Sequence, residues 1–172
     1  IDNHLIDGPQ VCQMHTHHQL EISCVPAGTG TYHIGDTFYD IRPGDVFILP
    51  NTDVHGLVLG EGEHLNNVVI HFDTALIWNS LANDLDYNFL LVFFQNGHNF
   101  SHRLDRENPA TARIYSLMME ILGEFEQKRD CYELFVKIKL QTIFAEILRN
   151  YDYIDRQQAR RPLRQEDVAQ LN

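Results

Sequence analysis

Along residues 11 to about 73 the apolar positions come in short runs rich in Val, Ile, Thr, Tyr and Phe, each closed by Gly, Pro, Asp or Asn. Such runs predict β-strands joined by tight turns. In TYHIGDTFYDI two of them meet at Gly35-Asp36, a pair suited to a two-residue hairpin because glycine accepts positive φ. IRPGDVFILP follows, with Pro43-Gly44 suited to the central positions of a type II turn before another apolar strand. HLNNVVIHFD supplies a further strand, and NGHNFSHRL predicts one more near residue 100. Many short strands at this spacing predict a sandwich or barrel rather than a βαβ arrangement.

The period then changes. After Asn108-Pro109, Ile114, Leu117, Met118, Ile121, Leu122 and Phe125 fall on one face of an amphipathic helix ending near Lys128. A second helix is predicted from about Cys131 to Tyr151 with two adjoining apolar stripes, Leu134, Ile138, Ala145 and Leu148 beside Leu140, Phe144, Ile147 and Tyr151. A face that wide either packs wholly on the barrel or leaves one stripe for a partner subunit. TALIWNSLANDL reads as a shorter helix over one rim. The chain thus divides into a β segment over residues 1–107, a helical segment over 108–153, and a polar, arginine-rich stretch over 154–172.

Candidate chemistry concentrates in MHTHHQLEISCVPAGTG, residues 14 to 30. On an extended strand without a bulge, His15, His17, Gln19, Glu21 and Ser23 share a face. So polar a face suits a wet cavity better than a dry core. His55, in GDVFILPNTDVHG, follows a strand and a turn and can return to the same cavity. Three imidazoles and a carboxylate suit a divalent transition ion, since imidazole favours Zn, Ni, Fe or Cu and the carboxylate supplies negative charge. Read from these residues alone, the cluster can equally shape a polar ligand pocket or be solvated.

Composition narrows the classes. With 44% hydrophobic and 22% charged side chains over 172 residues, the chain can bury a full core in one compact unit. No window approaches the ~18 uninterrupted apolar residues of a membrane helix. Cys12, Cys24 and Cys131 form no CxxC pair and fit buried reduced thiols of a cytoplasmic protein. Residues 1–107 hold fourteen acidic side chains against Arg42, Arg103 and Arg106, so the whole net charge of −11 sits there. Such a surface repels a phosphate backbone, and any contact with DNA must come from another domain.

Gly8, His15, His17, Glu21 and Gly28 form G-x6-HxH-x3-E-x6-G, and Gly44, Pro50, Thr52 and His55 form G-x5-P-x-T-x2-H. This resembles the two cupin motifs, with departures at the six-residue gap after the first glycine, at Thr52 where glycine is frequent, and at Leu59 where asparagine is frequent. The longer run HTHHQLEISCVPAGTGTYHIGDTFYDIRPGDVFILPNTDVHG is similar to the N-terminal effector-binding domain of AraC-family transcription regulators. The resemblance implies a cupin (double-stranded β-helix) barrel followed by an antiparallel helical pair that forms a homodimer. It implies a small-molecule effector, often a sugar, and DNA binding through a separate helix-turn-helix domain, with QEDVAQLN resembling its lead-in; the chain is then expected to be a sensory and dimerisation fragment rather than an enzyme.

The same resemblance implies a divalent transition metal (Zn, Ni, Fe or Mn) held by His15, His17, Glu21 and His55. Without metal, those four groups would hydrogen-bond effector hydroxyls, with Tyr32, Phe38, Phe47 or Trp78 as apolar walls. The competing class is a metal-dependent cupin enzyme, an isomerase or oxygenase, whose ligands leave coordination positions open to substrate.

Overall fold

The computed structural model describes residues 1–50, 52–73, 76 and 100–151. The strands are β1 (Asp2–Asp7), β2 (Gln10–Val11), β3 (Leu20–Gly28), β4 (Gly30–Ile34), β5 (Thr37–Ile41), β6 (Val46–Leu49), β7 (His55–Leu59) and β8 (His64–Phe72). They form two antiparallel sheets of four strands, in the orders β1-β8-β3-β6 and β2-β7-β4-β5. The two turns predicted from glycine are present. Ile34 pairs with Thr37 across Gly35 (φ 56°) and Asp36, and the Asp45 amide donates to the Arg42 carbonyl across Pro43 and Gly44 (φ 91°).

The period-2 alternation sorts side chains into two cores. Val25, Phe47, Leu49 and Leu65 of the first sheet meet Tyr32, Ile34, Ile41, Leu57 and Leu59 of the second, filling the barrel interior. Leu20, Ile22, Cys24, Val46, Ile48, Val68, Ile70 and Phe72 face outward, yet all are buried, because two helices cover that face. Every residue of β3 from Leu20 to Val25 is therefore buried, alternately against barrel and helices. The fold is a mainly β cupin barrel with two C-terminal helices, as the sequence predicts.

Helix α1 (Pro109–Gln127) starts where the sequence placed it, with the Asn108 side chain accepting from the Ala110 amide at 3.0 Å. Helix α2 is Tyr132–Asn150. Ion pairs Arg113–Glu146 at 2.7 Å and Lys139–Glu120 at 2.6 Å show the helices running antiparallel. Of the two stripes on α2, Leu140, Phe144 and Ile147 are buried in the outer core together with Tyr151, while Leu134, Phe135 and Ile138 are exposed. Leu148 packs half-buried against the chain's own core.

Two expectations need correction. Over the described residues 100–104, the strand expected near residue 100 is a single bridge, Phe47 to Arg103, flanked by bonds from the Ile48 amide to the His102 carbonyl and from the Leu104 amide to the Val46 carbonyl. Charged side chains hold the segment there instead of a full ladder: Arg106 grips Asp45 with Nε at 2.6 Å and Nη2 at 2.7 Å, and Arg103 reaches Asp40 at 2.8 Å. Of the cysteines, all free, Cys24 is buried, with its thiol pushed up to about 12 by burial, whereas Cys131 is exposed. TALIWNSLANDL lies almost wholly outside the described residues.

Candidate effector pocket and metal centre

His15 and His17 do not sit on the strand of Glu21, as simple parity had it. β3 begins only at Leu20, and residues 12–19 form an irregular segment laid over β7. His15 and His55 exchange two backbone bonds of 3.0 Å, and the Cys12 amide donates to the Leu57 carbonyl. Gly56 makes the approach feasible: a Cβ there would lie 2.9 Å from the Cys12 carbonyl oxygen. Convergence on His55 thus comes from a segment crossing β7, not from a shared strand face.

The four groups come together nonetheless. The ring donors of His15, His17 and His55 lie within 4.8 Å of one another. Glu21, 3% exposed, points its Oε2 at His17 Nε2 (2.9 Å) and His55 Nε2 (3.5 Å), while Oε1 accepts from the Tyr32 hydroxyl at 3.1 Å. A residue the sequence reading missed joins them: His71 Nε2 lies 3.1 Å from Glu21 Oε2. Its place follows from β3–β8 register, which sets Glu21 opposite His71.

The outer ring nitrogens define what the inner ones present. Nδ1 of His15 donates to the Gln13 carbonyl (2.9 Å), that of His17 to Gln19 (2.8 Å) and that of His55 to Asp53 (2.8 Å). A carbonyl only accepts, so each Nδ1 carries a proton and each ring turns Nε2 inward; that of His17 bonds to Glu21, whereas that of His55 has no partner. A ring lone pair aimed at a buried carboxylate is repelled unless a proton or a cation lies between them. His55 Nε2 is buried and makes no hydrogen bond, so it can take a proton donor or a cation. The donor set of imidazoles and one carboxylate fits a divalent transition ion.

Electrostatics agree with a group kept anionic at the centre. Burial alone would raise the Glu21 carboxyl, but the imidazoles around it, His17 and His71 by hydrogen bonds and His55 nearby at 3.5 Å, hold it far below the usual carboxylate range. The bond to Glu21 raises His17 in turn, against the opposing effect of burial. Tyr32 is pushed well above its ordinary value by burial and by the Glu21 charge, so its hydroxyl stays protonated and donates.

Beside the cluster opens a cavity of about 480 Å³. Of the expected effector-contacting residues, His15, Glu21, Tyr32 and His55 line it. His17 belongs to the donor cluster but does not line the cavity. Phe47, which was expected to wall the cavity, is instead fully buried between the sheets against Tyr32 and Tyr39, at ring distances of 4.9 and 5.9 Å. Phe38 is 65% exposed and stacks on His33. Trp78 lies outside the described residues. The sequence reading did not anticipate Asp2, His4 and Ile6 of β1, nor Asn67 and His71 of β8, all of which line the cavity. The five share one face of two paired strands, since His4 lies opposite Asn67 and Asp2 opposite Val69.

Fold and site together define a cupin-type ligand-binding barrel. A family model described as "AraC-like ligand binding domain" matches residues 7–144, and the chain belongs to that family. No curated protein matches it. Among solved structures, apo ToxT K231A from Vibrio cholerae strain SCE256 is similar at 13% identity over 98% of this chain and 68% of that one, with a TM-score of 0.54. The plu4264 protein of Photorhabdus luminescens aligns at 21% identity over 41% of this chain and 59% of its own (TM-score 0.39). Bacillus subtilis oxalate decarboxylase, described with Mn(II) centres, aligns at 18% identity over 51% of this chain and 27% of its own (TM-score 0.36). The chain thus spans less than two thirds of those last two proteins. No helix among the described residues is long and apolar enough to cross a membrane.

Proposed function

We propose that the chain is the sensory part of an AraC-type transcription regulator, not an enzyme, and that it binds a small hydroxyl-bearing effector, such as a sugar, beside a divalent metal ion. The supporting observation is a cavity that ends on buried polar atoms without protein partners: His55 Nε2 and, on β8, Asn67 Oδ1. An acceptor buried at a cavity wall costs about 1–3 kcal/mol unless a ligand or water supplies the missing donor, and effector hydroxyls do so. No Lys or Arg lines the cavity among the described residues, which favours a neutral polyol over an anion held by side chains.

His15, His17, Glu21 and His55 would hold the ion. Bound there, it would act as a Lewis acid that orients an effector oxygen at the cavity floor. Asn67 would read a neighbouring hydroxyl, and Tyr32 would hold Glu21 in place. The helices over residues 108–153 would pair two copies through the exposed Leu134, Phe135 and Ile138, and residues 154–172 would link to a DNA-binding domain. Calorimetric titration of the purified domain with a panel of monosaccharides and polyols tests the reading. Saturable binding of one class, weakened at least tenfold by Asn67→Leu, is expected. Turnover of a panel compound in place of reversible binding would favour the metal-dependent enzyme.

A further inference from the structure

Four imidazoles, not three, turn Nε2 toward the Glu21 carboxylate or its neighbours. His71 differs from the others in what stands behind it. His15, His17 and His55 rest Nδ1 on backbone carbonyls, whereas His71 Nδ1 faces the Asp2 carboxylate at 3.6 Å, within ion-pair range. A carboxylate behind an imidazole fixes the Nδ1–H tautomer and strengthens the opposite nitrogen as a donor, as in metal sites where an outer carboxylate supports a ligating histidine.

The inner geometry points the same way. Glu21 Oε2 stands 2.9 Å from His17 Nε2, 3.1 Å from His71 Nε2 and 3.5 Å from His55 Nε2. One carboxylate oxygen has two lone pairs and cannot accept well from three rings, and two of those rings already commit their proton to a carbonyl. Donors about 3 Å apart are what ligands at ~2.0–2.2 Å from one ion require. Donor atoms of His17, Glu21 and His71 all lie within 4.8 Å, a second triad that shares His17 with the first.

We propose that His71, supported by Asp2, is a further metal ligand, contributed by β8 outside the two sequence motifs. The inference rests on the metal reading of the site and extends it. His71 is 27% exposed on the cavity wall, so an ion held partly by it sits at the cavity floor within reach of an effector. Asp2 then couples the N-terminal strand to the ion.

The test uses the purified chain loaded with Zn(II) or Co(II). X-ray absorption of the Zn(II) form should count four imidazoles in the unmutated chain and one fewer in His71→Ala. The Co(II) d–d spectrum should change in shape and intensity between the same two proteins, and affinity should fall about tenfold or more. Asp2→Asn, at a half-exposed position on an edge strand, keeps the fold out of question and should weaken the ion about tenfold. His33→Ala, away from the cluster, should change neither. If the unmutated chain binds the ion but His71→Ala and Asp2→Asn leave affinity and spectrum unchanged, the proposal is overturned while the four-residue site stands. If the unmutated chain takes up no ion, both fall together.

Discussion

Nε2 of His55 stands 3.5 Å from Oε2 of Glu21, both side chains 3% exposed, with no hydrogen bond made by that ring nitrogen. A buried lone pair facing a buried carboxylate is unfavourable as it stands, and a cation between the donors removes the conflict. His17 and His71 face the same carboxylate oxygen, and His15 joins His17 and His55 in a donor triad.

Gly56 provides a test of how the centre is assembled. A methyl group at this position would press on the Cys12 carbonyl, a backbone atom, and lift the segment that carries His15 and His17. Gly56→Ala should therefore lower metal affinity by about tenfold or more while the domain stays folded by circular dichroism. Unchanged affinity would show that the segment reaches the centre without this close approach.

A dimer would use the exposed apolar face of α2. Ile138 is 49% exposed and Leu134 57% exposed on α2, so a charge there leaves the monomer's core intact. Ile138→Glu should weaken association by about 3 kcal/mol if the face is buried in a dimer. Analytical ultracentrifugation of both proteins measures it. A monomeric unmutated chain at high micromolar concentration would remove the dimer from the account. Leu148 is the poorer probe, since it packs on the chain's own core.

Asp45 is 1% exposed and takes two bonds from Arg106 and one, at 2.8 Å, from the Arg42 amide. Removing the guanidinium leaves a buried carboxylate without its counter-charge. Arg106→Ala should lower unfolding free energy by about 3 kcal/mol in urea titration, and Asp45→Asn in the same background should recover part of it. A loss below about 0.5 kcal/mol, the size of an ordinary surface change, would show that solvent replaces the arginine.

The acidic barrel makes its own prediction. With −11 over residues 1–107, the chain should show no sequence-specific retention of promoter DNA in a gel-shift experiment. Specific retention by this chain would mean that a DNA-binding surface lies within these residues.

Strands, turns and both helices were legible because each carries local information: alternation in TYHIGDTFYDI, glycine in its turns, and Asn108-Pro109 before a 3.6-residue stripe. That His15, His17, Glu21 and His55 approach one another was legible from motif spacing. What escaped depends on pairing between distant segments. β1, DNHLID, is an exposed edge strand with no apolar alternation, so nothing local announced it. His71 is inward because Leu65, Asn67, Val69 and His71 share the interior face of β8, a parity visible in HLNNVVIHF once Leu65 is known to be core. Its position opposite Glu21 needed the β3–β8 register. Phe47 was misassigned to the cavity wall because alternation gives the face but not the depth along it.

The central claim is a metal ion among His15, His17, Glu21 and His55, and elemental analysis of the chain purified without chelator tests it most directly. About one divalent transition ion per chain is expected for such a donor set. His17→Ala should lose most of it, since a site short of one ligand is open and labile. A metal content near zero in the unmutated chain, or one that His17→Ala leaves unchanged, would contradict the claim.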